Sequence, residues 1–166
     1  VGSIEERKNL LTILKSLKDI KNKYLVVIGN GKDYKNKCQK FIQKNNLSNR
    51  VLFLSDLKIF DIAAIYQQAQ MLIYPSIYEG FGIPILEALF SKIPVITSKG
   101  GCFAESGGQH SIYINPLSKD ELTNAIMLIE ENKDLKDQMI KKGWEYAQNF
   151  QDVEVSRKLM KMYKSL

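Results

Sequence analysis

Glu79 and Glu87 bracket the segment Glu79-Gly-Phe-Gly-Ile-Pro-Ile-Leu-Glu87, the stretch whose residue types point most directly to chemistry. Gly80 and Gly82 let backbone approach a ligand closely. Pro84 suits the first position of a helix, and the free N–H groups at such a helix start attract an anion, phosphate above all. Glu79 stands just before that start. Glu87 falls about one turn inside it, among the apolar residues Ile83, Ile85, Leu86, Ala88, Leu89 and Phe90. Its carboxylate must face solvent or accept hydrogen bonds from something buried, and sugar hydroxyls are suitable donors.

Three further segments carry candidate groups. Arg7-Lys8 falls at the start of the first predicted helix, where two cations oppose the helix dipole, so the pair implies either an anionic partner or plain solvation. Gly29-Asn-Gly31 lacks the third glycine of a dinucleotide fingerprint and the Gly-Lys-Ser/Thr ending of a phosphate loop, and reads as a turn. Gly100 to Gly108, with Gly101, Gly107 and Glu105, reads as a flexible loop that either approaches a ligand or is simply exposed. Cys38 and Cys102, with His110 the only histidine, give neither a disulfide framework nor a zinc site.

The elements that must position these groups follow from periodicity. Leu10, Leu11, Ile13, Leu14 and Leu17 recur at helical spacing, and Tyr24 to Ile28 is a short apolar run stopped by glycine. The alternation continues with a helix through Tyr34, Cys38, Phe41 and Ile42, a strand at 51–54, a helix through Ile62, Ile65 and Tyr66, and a strand at 71–74. A helix at 84–90 and strands at 94–98 and 111–114 follow, and then helices near 118–131, 133–148 and 152–164. Strands that are apolar throughout and alternate with helices predict an α/β fold: one Rossmann-like, doubly wound parallel sheet, helices on both faces, and a helical C-terminal tail. Residues 1–166 read as one domain. Such a sheet ordinarily begins with a strand, so Val1-Gly2-Ser3 is expected to be the tail of one, in a longer polypeptide.

The 166 residues, 45% hydrophobic and 25% charged, have the balance of an ordinary folded domain, which excludes disordered, collagen-like and disulfide-scaffold classes. No segment approaches the roughly 20 apolar residues of a membrane span, and no signal peptide is evident, so a cytoplasmic location is expected. The net charge is +6. Residues 1–44 carry Arg7 and ten lysines against Glu5, Glu6, Asp19 and Asp33, a net +7. Such a segment suits nucleic acid, an anionic membrane surface or a phosphorylated small molecule, or is a lysine-decorated helix face. Stacking aromatics between the cations are few, Tyr24, Tyr34 and Phe41, which argues against nucleic acid.

Tyr74-Pro-Ser-Ile-Tyr-Glu-Gly-Phe-Gly-Ile-Pro-Ile-Leu-Glu-Ala88 resembles the signature of the group 1 glycosyltransferases, glycosyltransferase family 4. Val1-Gly2 with Arg7-Lys8-Asn9, Val27-Ile-Gly29, Arg50 to Leu54, Ile65 to Ala69, Pro94-Val-Ile96, Glu105 with Gly107-Gly108, and Tyr113 to Pro116 follow in family order, so the resemblance spans the chain. It implies the C-terminal, donor-binding half of a two-domain GT-B enzyme, with the N-terminal acceptor domain outside this chain.

By the resemblance, Glu79 meets the hydroxyls of the transferred sugar and Glu87 those of the ribose. The backbone of Gly80, Phe81, Gly82 and Ile83 lines the sugar and diphosphate, and Lys8 neutralises the diphosphate. Ser3 stands where the family usually carries a second phosphate-binding arginine, with Arg7 a neighbouring substitute, and the base rests near Ser55 to Leu57. No Asp-x-Asp pair occurs, so no metal is implied and leaving-group charge falls to Lys8 and backbone amides. The implied donor is a UDP- or GDP-sugar, transferred with retention to a glycan or lipid-linked acceptor, with peripheral contact at the inner face of the plasma membrane and no turnover by this chain alone. Capsule, O-antigen or other surface-polysaccharide synthesis is suggested by the 21 lysines against three arginines, a usage resembling AT-rich bacterial genomes. The alternatives are a nucleotide-sugar-binding or anionic-surface-binding module without transferase activity, and the epimerases and phosphorolytic enzymes that share the GT-B fold.

Overall fold

A computed structural model describes residues 1–165. Five short strands, β1 (Leu25–Ile28), β2 (Val51–Leu54), β3 (Leu72–Tyr74), β4 (Val95–Ser98) and β5 (Ile112–Ile114), are all paired in parallel. Helices α1 (Leu10–Asp19), α2 (Asp33–Lys44), α3 (Ile59–Gln68), α4 (Ile83–Phe90), α5 (Phe103–Gly107) and α6 (Lys119–Glu131) alternate with them, and α7 (Lys133–Ala147) and α8 (Asp152–Lys164) form the tail.

The alternation of side chains across the strands divides the interior in two. Ile73, Ile96, Ile112 and Ile114 face a core built with α1, α2 and α6. Leu72, Tyr74, Val95 and Tyr113 face a second core with α3, α4 and α5. Apolar residues on both faces of each strand are what two covered faces require. The strands nevertheless fall into two hydrogen-bonded ladders, β1-β2 and β3-β4-β5, rather than one continuous sheet. A cavity of about 650 Å³, lined by both β1 and β3, lies between the ladders.

Two local expectations are corrected. Arg7 and Lys8 do not start the first helix: they lie in a separate 3-10 turn, Glu6–Lys8, ended by Asn9 with φ of 58°. Asn9 tolerates this left-handed conformation, accepts from Thr12 Oγ1 at 2.8 Å and donates its amide to the Pro116 carbonyl, so α1 begins only at Leu10. The glycine-rich segment 100–108 is not a flexible loop. Phe103, 2% exposed, plugs the second core and fixes the short helix α5, while the Tyr146 hydroxyl donates to the Glu105 carbonyl at 2.6 Å. The Glu105 side chain points to solvent. In the tail, α7 packs on α4, whereas α8 buries no residue.

Candidate functional site

The chain enters alongside β1. Gly2 N–H donates to the Ile28 carbonyl at 2.9 Å and Ile4 N–H to the Asn30 carbonyl at 2.7 Å, the every-second-residue pattern of a parallel pair. The turn Gly29-Asn-Gly31 exists to permit this crossing. A Cβ on Gly29 would stand 1.9 Å from the Gly2 carbonyl oxygen, and one on Gly31 2.3 Å from that of Ile4. The reading of this segment as a turn is thereby explained by backbone contact.

That path carries the turn Glu6–Lys8 over the loop following β3, where Ile77 N–H donates to the Arg7 carbonyl at 2.7 Å. Glu79 sits between two cations: Oε1 is 2.6 Å from Lys8 Nζ, and Oε2 is 2.9 Å from Arg7 Nη1. The Tyr74 hydroxyl, at the end of β3, donates to Glu79 Oε1 at 2.9 Å and accepts from Lys8 Nζ at 2.5 Å. Burial pushes the Glu79 carboxyl up, but hydrogen bonds from Lys8, Tyr74 and Arg7 outweigh it and hold the group below the usual carboxylate range. Burial, with the Glu79 charge alongside, pushes the Tyr74 phenol up, so it stays protonated and available as a donor. Arg7 also binds Glu5 Oε2 at 2.9 Å and lies over the Tyr78 ring. The cost of two adjacent cations is met by Glu79 and Glu5.

A pocket of about 230 Å³ opens here, lined by Lys8, Tyr74, Glu79 and the start of α4 from Phe81 to Pro84. Gly82 caps α4 with φ of 97°, and a Cβ there would come within 3.1 Å of Ile85 Cδ1 and Ser106 Oγ. Among the described residues no protein acceptor takes the N–H groups of Gly80, Phe81, Gly82 or Ile83. Lys8 and the segment Phe81 to Ile83, whose N–H groups take no protein acceptor among the described residues, thus line one pocket, an arrangement suited to an anion. Gly80 itself has open space around it.

Glu87 is half-buried on α4, and its Oε2 accepts from the Tyr66 hydroxyl of α3 at 3.0 Å. Burial, reinforced by the Glu87 charge, pushes the Tyr66 phenol upward and keeps it a donor. Lys8, Arg7, Glu79 and the α4 start are therefore assembled in one place. Glu87 lies further along α4, Ser3 is exposed and lines the larger cavity, and Leu57 stands in the loop between β2 and α3, so none of these three lines the small pocket. Tyr74 and Tyr66 enter the periodicity only as apolar members of a strand and a helix, and the resemblance assigns their hydroxyls no role. The signal is ambiguous, since a tyrosine ring fills an apolar position whether or not its hydroxyl has a partner.

The other lysines of the basic first quarter do not converge on this pocket: Lys15, Lys18, Lys21, Lys37, Lys40 and Lys44 are exposed, while Lys35 lies over the Phe53 ring. Among the described residues no helix is long and apolar enough to cross a membrane.

Comparison with known proteins places this geometry in context. The family model "Glycosyl transferases group 1" matches residues 1–146. The O-antigen chain mannosyltransferase RfbU of Salmonella typhimurium is 34% identical over 135 residues, 81% of this chain and 38% of that protein. Among solved structures, Anabaena HepE in complex with UDP superposes with a TM-score of 0.89 at 22% identity, over 99% of this chain and 48% of HepE. The C-terminal domain of the group 1 family protein LpcC of Francisella tularensis gives 0.80 at 22%, over 90% of this chain and 83% of that one. The chain spans less than half the length of RfbU and of HepE.

Proposed function

Since this chain belongs to the group 1 glycosyl transferases, we propose that it is the donor-binding half of a retaining glycosyltransferase, taking a UDP- or GDP-sugar whose sugar passes to a glycan or lipid-linked acceptor held by an N-terminal domain. The observation that carries this reading is that Lys8 and the α4 start, whose first N–H groups take no protein acceptor, line one pocket. Donor cleavage builds negative charge on the leaving diphosphate, and a fixed cation with aligned amides stabilises charge where it develops. HepE was solved with UDP, and RfbU is named a mannosyltransferase, which supports a nucleotide-bound hexose as the donor.

On this reading the diphosphate competes with Glu79 for Lys8. Its arrival draws the ammonium onto phosphate and releases the Glu79 carboxylate to accept hydroxyls of the sugar. Tyr74, bonded to both, keeps the two groups beside the α4 start. Glu87, oriented by Tyr66, accepts the ribose hydroxyls, and Leu57 with its loop supports the base. Arg7 supplies the second positive charge in place of the arginine that Ser3 does not provide. Association with the inner face of the membrane would follow from a lipid-linked acceptor.

Ligand-observed NMR of the chain against UDP, GDP, ADP, TDP and their sugar conjugates tests this, repeated with Glu87→Ala. Binding of one base, lost in the variant, is the expected result; silence across the panel at millimolar ligand overturns donor binding by this half. Without an acceptor domain the 166 residues are expected to transfer nothing, and detectable transfer by them alone would refute the division of labour.

A further inference from the structure

The loop that follows β3 is fastened from several sides. Thr97 Oγ1 and Ser98 Oγ, neighbours in β4, donate to the Tyr74 and Ser76 carbonyls at 2.9 and 2.5 Å, and Ile77 N–H donates to the Arg7 carbonyl at 2.7 Å. Within this frame the Ser76 side chain is fully buried. Among the described residues two buried side-chain atoms lack a hydrogen bond, Ser76 Oγ and Glu130 Oε1, and the second has Lys23 as its counter-ion. The Ser76 hydroxyl alone is left without any partner. A buried hydroxyl in that position is a cost that alanine would remove, and it points to a state of the protein in which the hydroxyl has something to bond.

The surroundings of Ser76 identify that state. Burial pushes both the Glu79 carboxyl and the Tyr74 phenol up, and the Ser76 hydroxyl, standing beside them, works the other way on each. It nevertheless completes no hydrogen bond with either. Glu79 is already supplied: Oε1 takes Lys8 and Tyr74, and Oε2 takes Arg7. Once an anion draws Lys8 away, a carboxylate only 10% exposed has lost a cation that water replaces poorly. The Ser76 backbone is held by its neighbours and its side chain has one torsion, so the hydroxyl can turn to Glu79 without moving the loop.

We infer that Ser76 is a positioning residue for Glu79: its hydroxyl takes over from Lys8 as a donor to the Glu79 carboxylate when an anion in the pocket claims the ammonium. The identity of that anion rests on the donor-site reading, whereas the exchange itself needs only the loss of Lys8 from Glu79. Hydrogen bonds alone are broken and made, and no proton is transferred. Ser76 thereby keeps Glu79 ionised and in place to accept sugar hydroxyls. Without it the carboxylate holds Lys8 more firmly and opposes the diphosphate. Tyr74 cannot fill this part, since its hydroxyl is already on Oε1.

The test places Ser76→Ala in the parent chain and in Lys8→Met, where Glu79 has lost the ammonium for good. In the parent, Ser76→Ala is expected to leave Tm unchanged or to raise it by about 3 °C; in Lys8→Met it should lower Tm by roughly 3–8 °C, because there the hydroxyl has become the replacement donor. Carbon-13 NMR of the Glu79 carboxyl reads the same exchange: its titration moves up in Lys8→Met and further in the double variant, a shift that a packing role does not produce. Equal Tm changes in the two backgrounds, or a Glu79 titration in Lys8→Met that Ser76→Ala does not move, would overturn the inference, the hydroxyl then serving a buried water or the packing of the loop. Calorimetry with UDP and GDP needs no Lys8 variant: Ser76→Ala should bind about tenfold more weakly than the parent at undiminished Tm, and equal affinity would also overturn the inference. Binding by neither chain would count against the donor site, and the Tm and NMR comparisons, which use no nucleotide, would still decide the part played by Ser76.

Discussion

Lys8 Nζ lies 2.6 Å from Glu79 Oε1, so the cation proposed to meet the diphosphate and the carboxylate proposed to meet the sugar are each other's counter-ions. Any anion entering the pocket must compete with Glu79 for Lys8. Glu79→Gln is therefore expected to bind bare UDP or GDP about three- to tenfold tighter, a gain of roughly 0.6–1.4 kcal/mol. The sugar conjugate should lose its advantage over the bare nucleotide in the same variant. Calorimetry at low salt reads both effects; unchanged diphosphate affinity would show that the pair is not broken on binding.

The same pair gives an acid dependence. The Glu79 carboxyl is held below its ordinary value of 4.5 in the folded chain. The folded state therefore binds fewer protons than the unfolded chain in this range, and stability falls as the pH is lowered. The Glu79 contribution is fully present above about 4.5 and is lost as pH descends through the folded value. Thermal unfolding should show Tm dropping more steeply below pH 4.5 in the parent than in Glu79→Gln. Parallel curves would mean that Glu79 titrates alike in both states.

Glu87 and Tyr66 separate direct from indirect recognition. A charge-assisted hydrogen bond contributes roughly 1.5–3 kcal/mol, so Glu87→Ala should weaken nucleotide binding by about ten- to a hundredfold. Tyr66→Phe leaves the carboxylate in place without its 3.0 Å partner and should cost only about three- to tenfold. Equal losses in the two variants would assign the ribose contact to the tyrosine.

Two glycines at this end of the sheet should respond differently to alanine. Gly29 has φ of 140° and Gly2 backbone against it, so Gly29→Ala is expected to destabilise by about 2–4 kcal/mol in urea unfolding. Gly80 has open space, and Gly80→Ala should stay within about 0.5 kcal/mol.

Most of the architecture is legible in the sequence because it rests on periodicity: the apolar run from Val51 to Leu54 and the amphipathic pattern of Leu10, Ile13, Leu14 and Leu17 admit few alternatives. The pocket-forming segment from Glu79 to Pro84 is legible for a different reason, since glycine, proline and carboxylate each have narrow local uses. What escapes depends on distance through space. Phe103 converts an apparently loose glycine-rich stretch into a helix by burying its ring, and nothing beside it in sequence announces that. Asn9 ends one turn and precedes another because it tolerates φ of 58°, which sets Arg7 and Lys8 apart from α1. The hydroxyls of Tyr74 and Tyr66 find their carboxylates only after β3, α3 and α4 have packed.

Lys8 travels with the segment fastened to β1, and Glu79 follows β3, so their contact bridges two ladders that share no backbone hydrogen bond. The pocket is in that sense a joint held by a magnet, Lys8 against Glu79, set beside one rivet, the Ile77 N–H bonded to the Arg7 carbonyl at 2.7 Å. With the Lys8 and Glu79 side chains only 15% and 10% exposed, salt screens this fastening less than it would a surface pair. A bound diphosphate would then act as a wedge as much as a guest, fixing the spacing of the two halves at the moment it takes Lys8 away from Glu79.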